Sequence, residues 1–357
     1  MSKGLKALVL VSCMVIVVAG LKLAAPIVVP FLLASFLAIV SAPLVFWMAQ
    51  QGVPRLVSVG TAFLGNLILV ALLGRLMIES STALYQRLPR YQDRLVEVLY
   101  EMSEAASSVG FEVAPDRLLA WLNVGQLFGV FAGALKGLIG TLVSLLLVLL
   151  IVVFMLLEAA GLRGKLKHIL AEPDRDLGPY AKTTSQVQKY LVVKTVASLV
   201  TGILAGTWNF ALGVELALLL GVLAFALNFI PTIGSILAAV PAMLLALVTG
   251  GVSLSLAVAG GYLVINTVIG NFFEPRILGR ALGLSPLVVL LSVIFWGWIL
   301  GPIGALLSVP MTNVLRIFIG NTDDLRWLAI LLGPTLPEDE PPLPTTPQIG
   351  ARGDAST

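Results

Sequence analysis

The stretch Leu227–Pro241, L-N-F-I-P-T-I-G-S-I-L-A-A-V-P, places a proline and a glycine in the middle of an apolar tract. The stretch Leu291–Pro310, L-S-V-I-F-W-G-W-I-L-G-P-I-G-A-L-L-S-V-P, carries a second break of the same kind. Each tract follows a similar heptad, Y-L-V-V-K-T-V from Tyr190 and Y-L-V-I-N-T-V from Tyr262. Paired Gly/Pro-interrupted apolar segments at corresponding places of two halves are typical of the substrate sites of secondary transporters. The pattern therefore predicts an internal duplication with one helix break in each half.

The composition indicates a polytopic membrane protein. Hydrophobic residues make up 58% of the chain and charged residues 11%, whereas soluble domains carry about 25% charged residues. The net charge of +3 is spread among apolar segments. It therefore provides no basic surface for nucleic acid, and we expect no nucleic-acid partner.

The inventory of reactive side chains argues against an enzyme. The chain has one cysteine, Cys13, and one histidine, His168, which are too few for a compact zinc site or a Cys–His nucleophile pair. It also lacks the ATP-binding P-loop sequence G-x-x-x-x-G-K-S/T. We therefore predict no catalytic residue, no metal and no cofactor.

The lengths of the apolar runs predict the fold class. Two tracts, 215–248 and 284–319, are longer than a single crossing needs. A continuous helix over 215–247 would be about 50 Å long, whereas the hydrocarbon core of a bilayer is about 30 Å thick. We expect both tracts to turn back as re-entrant hairpins. The predicted fold is an all-α polytopic membrane protein with about eight hydrophobic segments, namely two broken-helix hairpins in an inverted repeat and six crossings near 5–23, 25–49, 56–78, 137–158, 191–213 and 252–272.

The charges of the polar segments predict the orientation. Segment 159–194 holds seven basic and three acidic residues, and segment 79–135 holds four basic and seven acidic residues. The positive-inside rule places the first segment and the N-terminus in the cytoplasm and the second segment outside. If both hairpins are re-entrant, Arg276 and Arg280 also lie inside, as the rule prefers.

These arguments give a domain organisation. The outside segment has an amphipathic helix face formed by Leu88, Tyr91, Leu95, Val98 and Met102, which suits either a packed helical hairpin or an oligomer contact or lid. The predicted units are three transmembrane helices in 1–78, the extracytoplasmic helical segment 79–135, a transmembrane helix in 136–158, a cytoplasmic basic loop in 159–189, repeat 1 with its hairpin in 190–250, repeat 2 with its hairpin in 251–320, and a disordered Pro-rich tail in 334–357.

The two breaks supply the leading site residues. At the first break, Pro231 and Gly234 interrupt the helix, and Asn228 and Thr232 add polar side chains to the exposed helix ends; a structural kink is the alternative interpretation. The second break offers backbone groups only. Its candidate residues are Gly301, Pro302 and Gly304, with Trp296 and Trp298 flanking them as pathway-lining groups or membrane-interface anchors.

Polar residues around the last predicted crossing are further candidates, because polar groups within membrane segments are costly. They are Asn266, Asn271, Glu274 and Arg276. The alternatives are a boundary role for Asn271 and a local pairing of Glu274 with Arg276. Lys194 is interpreted as a side chain that snorkels from a helix end.

At these residues the chain resembles the autoinducer-2 exporter (AI-2E) family of bacterial permeases, closest to its quorum-signal exporter subgroup. The resemblance includes Y-L-V-V-K-T-V-A-S-L-V-T-G from Tyr190, both break sequences, G-N-F-F-E-P-R-I-L-G-R from Gly270 and R-W-L-A-I-L-L-G-P from Arg326. It covers nearly the whole chain and is weak in 79–135.

The resemblance implies a multi-pass protein of the bacterial inner membrane, and the charge pattern predicts that both termini are cytoplasmic. The resemblance also implies export of a small polar signal, autoinducer-2, by a homo-oligomer, of which a pentamer is one form. Two other functions stay open. One is sodium/proton antiport, for which Glu274 is the only good intramembrane acid. The other is a membrane scaffold whose segment 79–135 binds a partner.

Overall fold

In the lipid core every backbone polar group must be satisfied within the protein, so apolar runs fold as helices. The computed structural model describes residues 3–108, 129, 133, 145–158, 178–231, 233–278, 284–320 and 331–333, and no strand occurs among them. The helices are α1 Lys3–Leu23, α2 Ala25–Gln50, α3 Arg55–Ser108, α4 Leu145–Glu158, α5 Gly178–Ala211, α6 Ala217–Leu227, α7 Ile233–Asn266, a π-helix Thr267–Phe273, α8 Glu274–Leu278, α9 Pro286–Leu306 and α10 Ser308–Gly320.

The all-α polytopic class is confirmed. In the described ranges, five helices are long and apolar enough to cross a membrane, and three shorter apolar helices accompany them. The five are Ala25–Gln50, Arg55–Glu104, Ser185–Ala211, Ile233–Phe273 and Pro286–Leu306, and the shorter ones are Val11–Leu23, Leu145–Glu158 and Ala217–Leu227.

Helix α3 is one continuous helix of 54 residues that continues through Pro89. At 1.5 Å per residue it is about 80 Å long, so its polar half projects beyond the bilayer. On the face predicted to be amphipathic, Tyr91, Leu95 and Val98 are buried, whereas Met102 is exposed. The buried face joins a hydrophobic cluster with residues of α6 and α7. The projecting half of α3 therefore packs on the first hairpin.

The first hairpin comprises α6 and residues 233–250 of α7, and its tip includes residues 228–231. Helix α7 is broken at Gly251, where φ is +73°, a backbone conformation that glycine adopts without steric cost. The Ser255 hydroxyl donates to the carbonyl of Met243 over 3.0 Å, so the two arms of α7 run antiparallel around this reversal. The second arm, 252–266, continues through the π-helix into α8.

The second hairpin comprises residues 286–320 and reverses at Gly301, where φ is +70°. The Trp296 indole N–H donates to the Thr312 hydroxyl over 2.9 Å, which ties the outgoing arm to the returning arm. The residues just before the reversal, Ile299 and Leu300, pack against the region where α1 and α2 meet. Each predicted break therefore coincides with a reversal of the chain.

The first helix of each repeat runs antiparallel to the other. Lys194 of α5 contacts Glu274 of α8, and Asn209 of α5 contacts Tyr262 in the second arm of α7. Residue numbers therefore rise along α5 in the direction in which they fall along the segment from Tyr262 to Glu274. An inverted repeat has this relation between its halves.

Candidate solute pathway

One face of α5 carries buried polar residues through the C-terminal half of the helix. It carries Lys194, Ser198, Thr201 and Asn209, whose side chains share a face because they are spaced by three, four or eight residues. Their residue exposures are 5%, 0%, 8% and 0%. From Lys194 to Asn209 this polar face is about 22 Å long, which is most of the thickness of a hydrocarbon core of about 30 Å.

The first hairpin tip contacts that face at Ser198, one helical turn from Lys194. The Asn228 amide donates to the Ser198 hydroxyl over 3.1 Å, and Asn228 is 7% exposed. Ser198 lies 13 residues before the end of α5 at Ala211, or about 20 Å along the helix axis. Helix α6 thus returns along α5 to this depth before the chain turns. Next to Asn228, Phe229 packs edge-on against Phe36 of α2, with 5.7 Å between ring centroids.

An ion pair occupies the N-terminal end of the polar face. The Lys194 ammonium donates to both carboxylate oxygens of Glu274, over 2.7 and 3.0 Å. The snorkelling interpretation of Lys194 is wrong, because α5 begins at Gly178 and places this residue inside the helix. The proposed local pairing is also wrong for Glu274, whose carboxylate faces α5. Arg276 lies exposed on α8.

The opposite end of the polar face is closed by a hydrogen bond between the repeats. The Asn209 amide nitrogen contacts the Ala205 carbonyl at 2.7 Å and the Tyr262 hydroxyl at 3.1 Å. The carbonyl oxygen of the Asn209 side chain and the Thr201 hydroxyl find no hydrogen-bond partner in the described part of the chain. Buried polar groups normally bond to a partner, so these two atoms can receive the polar groups of a passing solute.

The second tip has a different character. Trp296 is 8% exposed and bonded within the hairpin, whereas Trp298 is 59% exposed and lies under the Lys22 ammonium, which is 3.8 Å from its ring centroid. Gly301 is half-buried and Pro302 exposed. Leu300 packs in a cluster with α1 and α2, whereas Ile303, just past the turn, packs against the cluster that contains Phe229 of the first tip. The structure therefore brings the α5 face together with the first tip, and the second hairpin packs nearby through the apolar side chains Ile303, Leu307 and Val309.

Gly234 and Gly304 serve the close approach of hairpin arms. A Cβ atom at Gly234 would lie 1.8 Å from the carbonyl oxygen of Leu227, and one at Gly304 would lie 2.1 Å from that of Trp296. Both contacts join the outgoing arm to the returning arm just past the turn. The two glycines are 70 residues apart and match in the predicted repeat. Each allows the two arms of its hairpin to approach closely.

The remaining predicted residues lie around this framework. Pro231 is half-buried in the first tip, and Thr232 lies outside the described residues. Asn266 is half-buried beside Gly270, and Asn271 is exposed on the π-helix. No cluster of three or more His, Cys, Asp or Glu suited to a metal ion occurs within the described ranges.

Tyr262 on α7 was missed as a site residue, and so were the four residues of the polar face of α5, Lys194, Ser198, Thr201 and Asn209. Their signal is a helical spacing of polar residues within an apolar run, with Lys194, Ser198 and Thr201 following each other at intervals of four and three. The predicted site residues came from the broken tracts and the matching heptads. The spaced polar residues of α5 lie mostly between the first heptad and the first broken tract.

Comparisons with known proteins bear on the family of this chain. A family model described as AI-2E family transporter matches residues 11–324. The chain is similar to the AI-2 transport protein TqsA of Escherichia coli (strain K12), with 40% identity over 333 residues that cover 92% of this chain and 96% of that protein. It is also similar to the putative transport protein YhhT of the same strain, with 36% identity over 339 residues that cover 95% and 97%. It is 24% identical to the putative transport protein YrrI of Bacillus subtilis (strain 168) over 308 residues, which cover 82% and 86%. This multi-pass membrane protein belongs to the AI-2E transporter family.

Proposed function

We propose that the protein exports a small polar solute along the polar face of α5, and that this solute is autoinducer-2. The observation that carries the proposal is the buried row of Lys194, Ser198, Thr201 and Asn209, which the Asn228 tip contacts at Ser198. Polar groups at membrane depth default to functional candidates because burying them is costly. The name of the relative that is 40% identical supports the choice of cargo.

The proposal includes the cellular setting. The protein lies in the bacterial inner membrane with both termini in the cytoplasm, and it works as a homo-oligomer. The charge difference between segments 79–135 and 159–194 supports the orientation, and the bacterial relatives support the membrane.

The test is signal accumulation outside cells that lack the transporter and carry this chain on a plasmid. We expect the wild-type protein to raise the external signal and Asn228→Ala to lower the initial export rate about tenfold, since losing a bonded buried polar group costs about 1–3 kcal/mol. The matched control is Asn66→Ala. It removes a side-chain amide that donates to the Ser41 hydroxyl over 2.9 Å, and this hydrogen bond joins α3 to α2 and does not involve the α5 face. Equal external signal in all strains at equal protein levels would refute the export proposal.

Sodium/proton antiport is a second candidate, and the buried carboxylate of Glu274 favours it, since such antiport needs an intramembrane acid. It predicts pH-dependent sodium efflux in inverted vesicles that Glu274→Gln abolishes. Glu101→Gln, on the exposed polar half of α3, is the control and leaves the flux unchanged. Full efflux in the Glu274→Gln variant would eliminate this candidate.

A further inference from the structure

We propose that the ion pair between Lys194 and Glu274 is the inner gate of the polar face of α5. The inference rests on the proposed transport along this face. In the conformation described, the gate is closed, and its opening admits solute from the cytoplasmic side to Ser198 and Asn228.

The pair joins the two repeats directly. Lys194 belongs to α5 in repeat 1, and Glu274 belongs to α8 in repeat 2. Their side chains are only 7% and 15% exposed, and the two hydrogen bonds use both carboxylate oxygens. Alternating access in inverted-repeat transporters moves one repeat or bundle against another around a fixed site. A contact made by one side chain from each repeat is therefore a place where such a movement can open or close the face.

The position of the pair is that of an inner closure. Lys194 lies one helical turn, about 6 Å, before Ser198, where the first tip contacts α5. Arg276 follows Glu274 by two residues and lies exposed. The positive-inside rule assigns this end to the cytoplasm. Tyr190, one turn further out on α5, is 6% exposed and continues the closed packing.

The π-helix Thr267–Phe273 gives the pair a means of opening. It ends directly before Glu274. Such segments are rare and frequently occur at functional sites. If the segment rewinds as an α-helix, the register of Glu274 changes by one residue, which corresponds to a rotation of about 100° around the axis. The carboxylate then turns away from Lys194.

The experiment measures access of a water-soluble thiol reagent to the polar face. Cys13, the single cysteine of the chain, is replaced by serine. Thr201→Cys then places a reporter two helical turns beyond Lys194. Inverted vesicles, which expose the cytoplasmic face, receive a small membrane-impermeant methanethiosulfonate, and the rate of modification is measured in the full-length protein. Right-side-out vesicles receive the same reagent.

We expect slow modification while the pair is intact. Glu274→Gln and Lys194→Met should each raise the rate at least tenfold, and only from the cytoplasmic face. The exchanged pair, Lys194→Glu with Glu274→Lys, should restore slow modification, because it restores the ion pair with reversed charges. Glu79→Gln neutralises one partner of an exposed pair with Arg75 on α3 and should leave the rate unchanged.

Three results would overturn the proposal. One is an unchanged slow rate in both neutralised variants. Another is faster modification from the outer face. The third concerns a second reporter, Leu245→Cys, at a position that is 1% exposed in another hydrophobic cluster. If neutralising the ion pair speeds modification of this reporter as much as that of Thr201→Cys, the pair holds the whole fold together and is not a gate. The readout does not depend on the cargo. If the protein exports no signal but the modification rate still depends on the ion pair, only the proposed function is contradicted. If the protein exports signal but the modification rate does not depend on the ion pair, only the gate is contradicted.

Discussion

At the position of Gly234, the space that a side chain would occupy is filled by the carbonyl oxygen of Leu227, 1.8 Å from an ideal Cβ atom. Real Cβ atoms do not approach backbone oxygens so closely, so any larger residue must push the hairpin arms apart. Gly304 meets the carbonyl oxygen of Trp296 in the same way. Single residues therefore set how tightly each hairpin closes, and both of these residues lack a side chain that could bind a solute.

Replacing Gly234 by alanine should loosen the first hairpin. We expect Gly234→Ala to lower the free energy of unfolding by about 1–3 kcal/mol, the usual cost of overpacking, seen as a lower melting temperature in detergent. Gly260→Ala is the control, because nothing lies within 4 Å of a Cβ atom there and alanine favours helix over glycine. Equal melting temperatures for wild type and Gly234→Ala would contradict the close contact.

At the scale of elements, the projecting half of α3 is tied to the connection between α5 and α6. The Arg87 guanidinium donates to the Glu215 carboxylate over 2.5 Å, and the Tyr91 hydroxyl donates to the same carboxylate oxygen. Burial raises the pKa of Glu215, but the hydrogen bonds from Tyr91 and Arg87 outweigh it and hold this pKa below its ordinary value. Burial and the neighbouring Glu215 raise the pKa of Tyr91 to about 12, so the phenol stays a donor at neutral pH.

This contact predicts an acid-sensitive contribution to stability. Because the pKa of Glu215 is lower in the folded protein, the contribution is complete above the ordinary glutamate pKa of about 4.3. It disappears as the pH falls through the lowered pKa. The melting temperature of the wild type should therefore fall more between pH 7 and pH 3 than that of Glu215→Gln. The difference should be small, since exposed pairs contribute about 0–1 kcal/mol.

The control for this comparison is Glu79→Gln. Glu79 pairs with Arg75 on the same helix, and their side chains are 59% and 77% exposed. Its melting temperature should follow the wild type across the pH range. Identical acid sensitivity in wild type and Glu215→Gln would show that the contact between α3 and the first hairpin does not stabilise the fold.

At the scale of the whole molecule, the antiparallel course of α5 and the second arm of α7 predicts opposite orientations for the two repeats. The second arm and the π-helix, residues 252–273, are about 33 Å long and match a single crossing of about 30 Å. This crossing puts Gly251 and Arg276 on opposite faces of the membrane. The charge pattern of the sequence places Arg276 inside.

Cysteine labelling checks this arrangement. In a Cys13→Ser background, Ser253→Cys, which is exposed just after the reversal, should react with an impermeant maleimide only from outside. Arg276→Cys, which is exposed on α8, should react only from the cytoplasmic face. Labelling of position 276 from outside would rule out the inverted arrangement. Leu245→Cys, buried in the core, should react from neither face.

Much of the fold could be predicted from local sequence. The helix breaks at Pro231 and Gly301 lie where the sequence interrupts its apolar tracts, because proline and glycine act on their own backbone. The continuation of α3 beyond the predicted crossing 56–78 could not be predicted this way. The helix remains one element through its polar half to Ser108. Packing of that half against the first hairpin supports a helix that hydropathy alone would have ended near residue 78.

The candidate pathway was predicted less completely. Asn228 and Glu274 were identified individually, as polar residues in apolar surroundings, but their partners were not. The spacing of Ser198 after Lys194 indicates a shared helix face but not which element packs on it, and the place of Tyr262 at the start of the second heptad indicates a repeat position but not a contact.

By itself, the sequence determined the membrane class and the two broken tracts, because hydropathy, glycine and proline act locally, and it predicted that the tracts are related as repeats. Only the tertiary structure decided which polar groups meet. Lys194 and Glu274 are 80 residues apart, Ser198 and Asn228 are 30 apart, and Asn209 and Tyr262 are 53 apart. Such pairs depend on which helices are neighbours and on how each is rotated about its axis, and these properties belong to the packing of the whole chain.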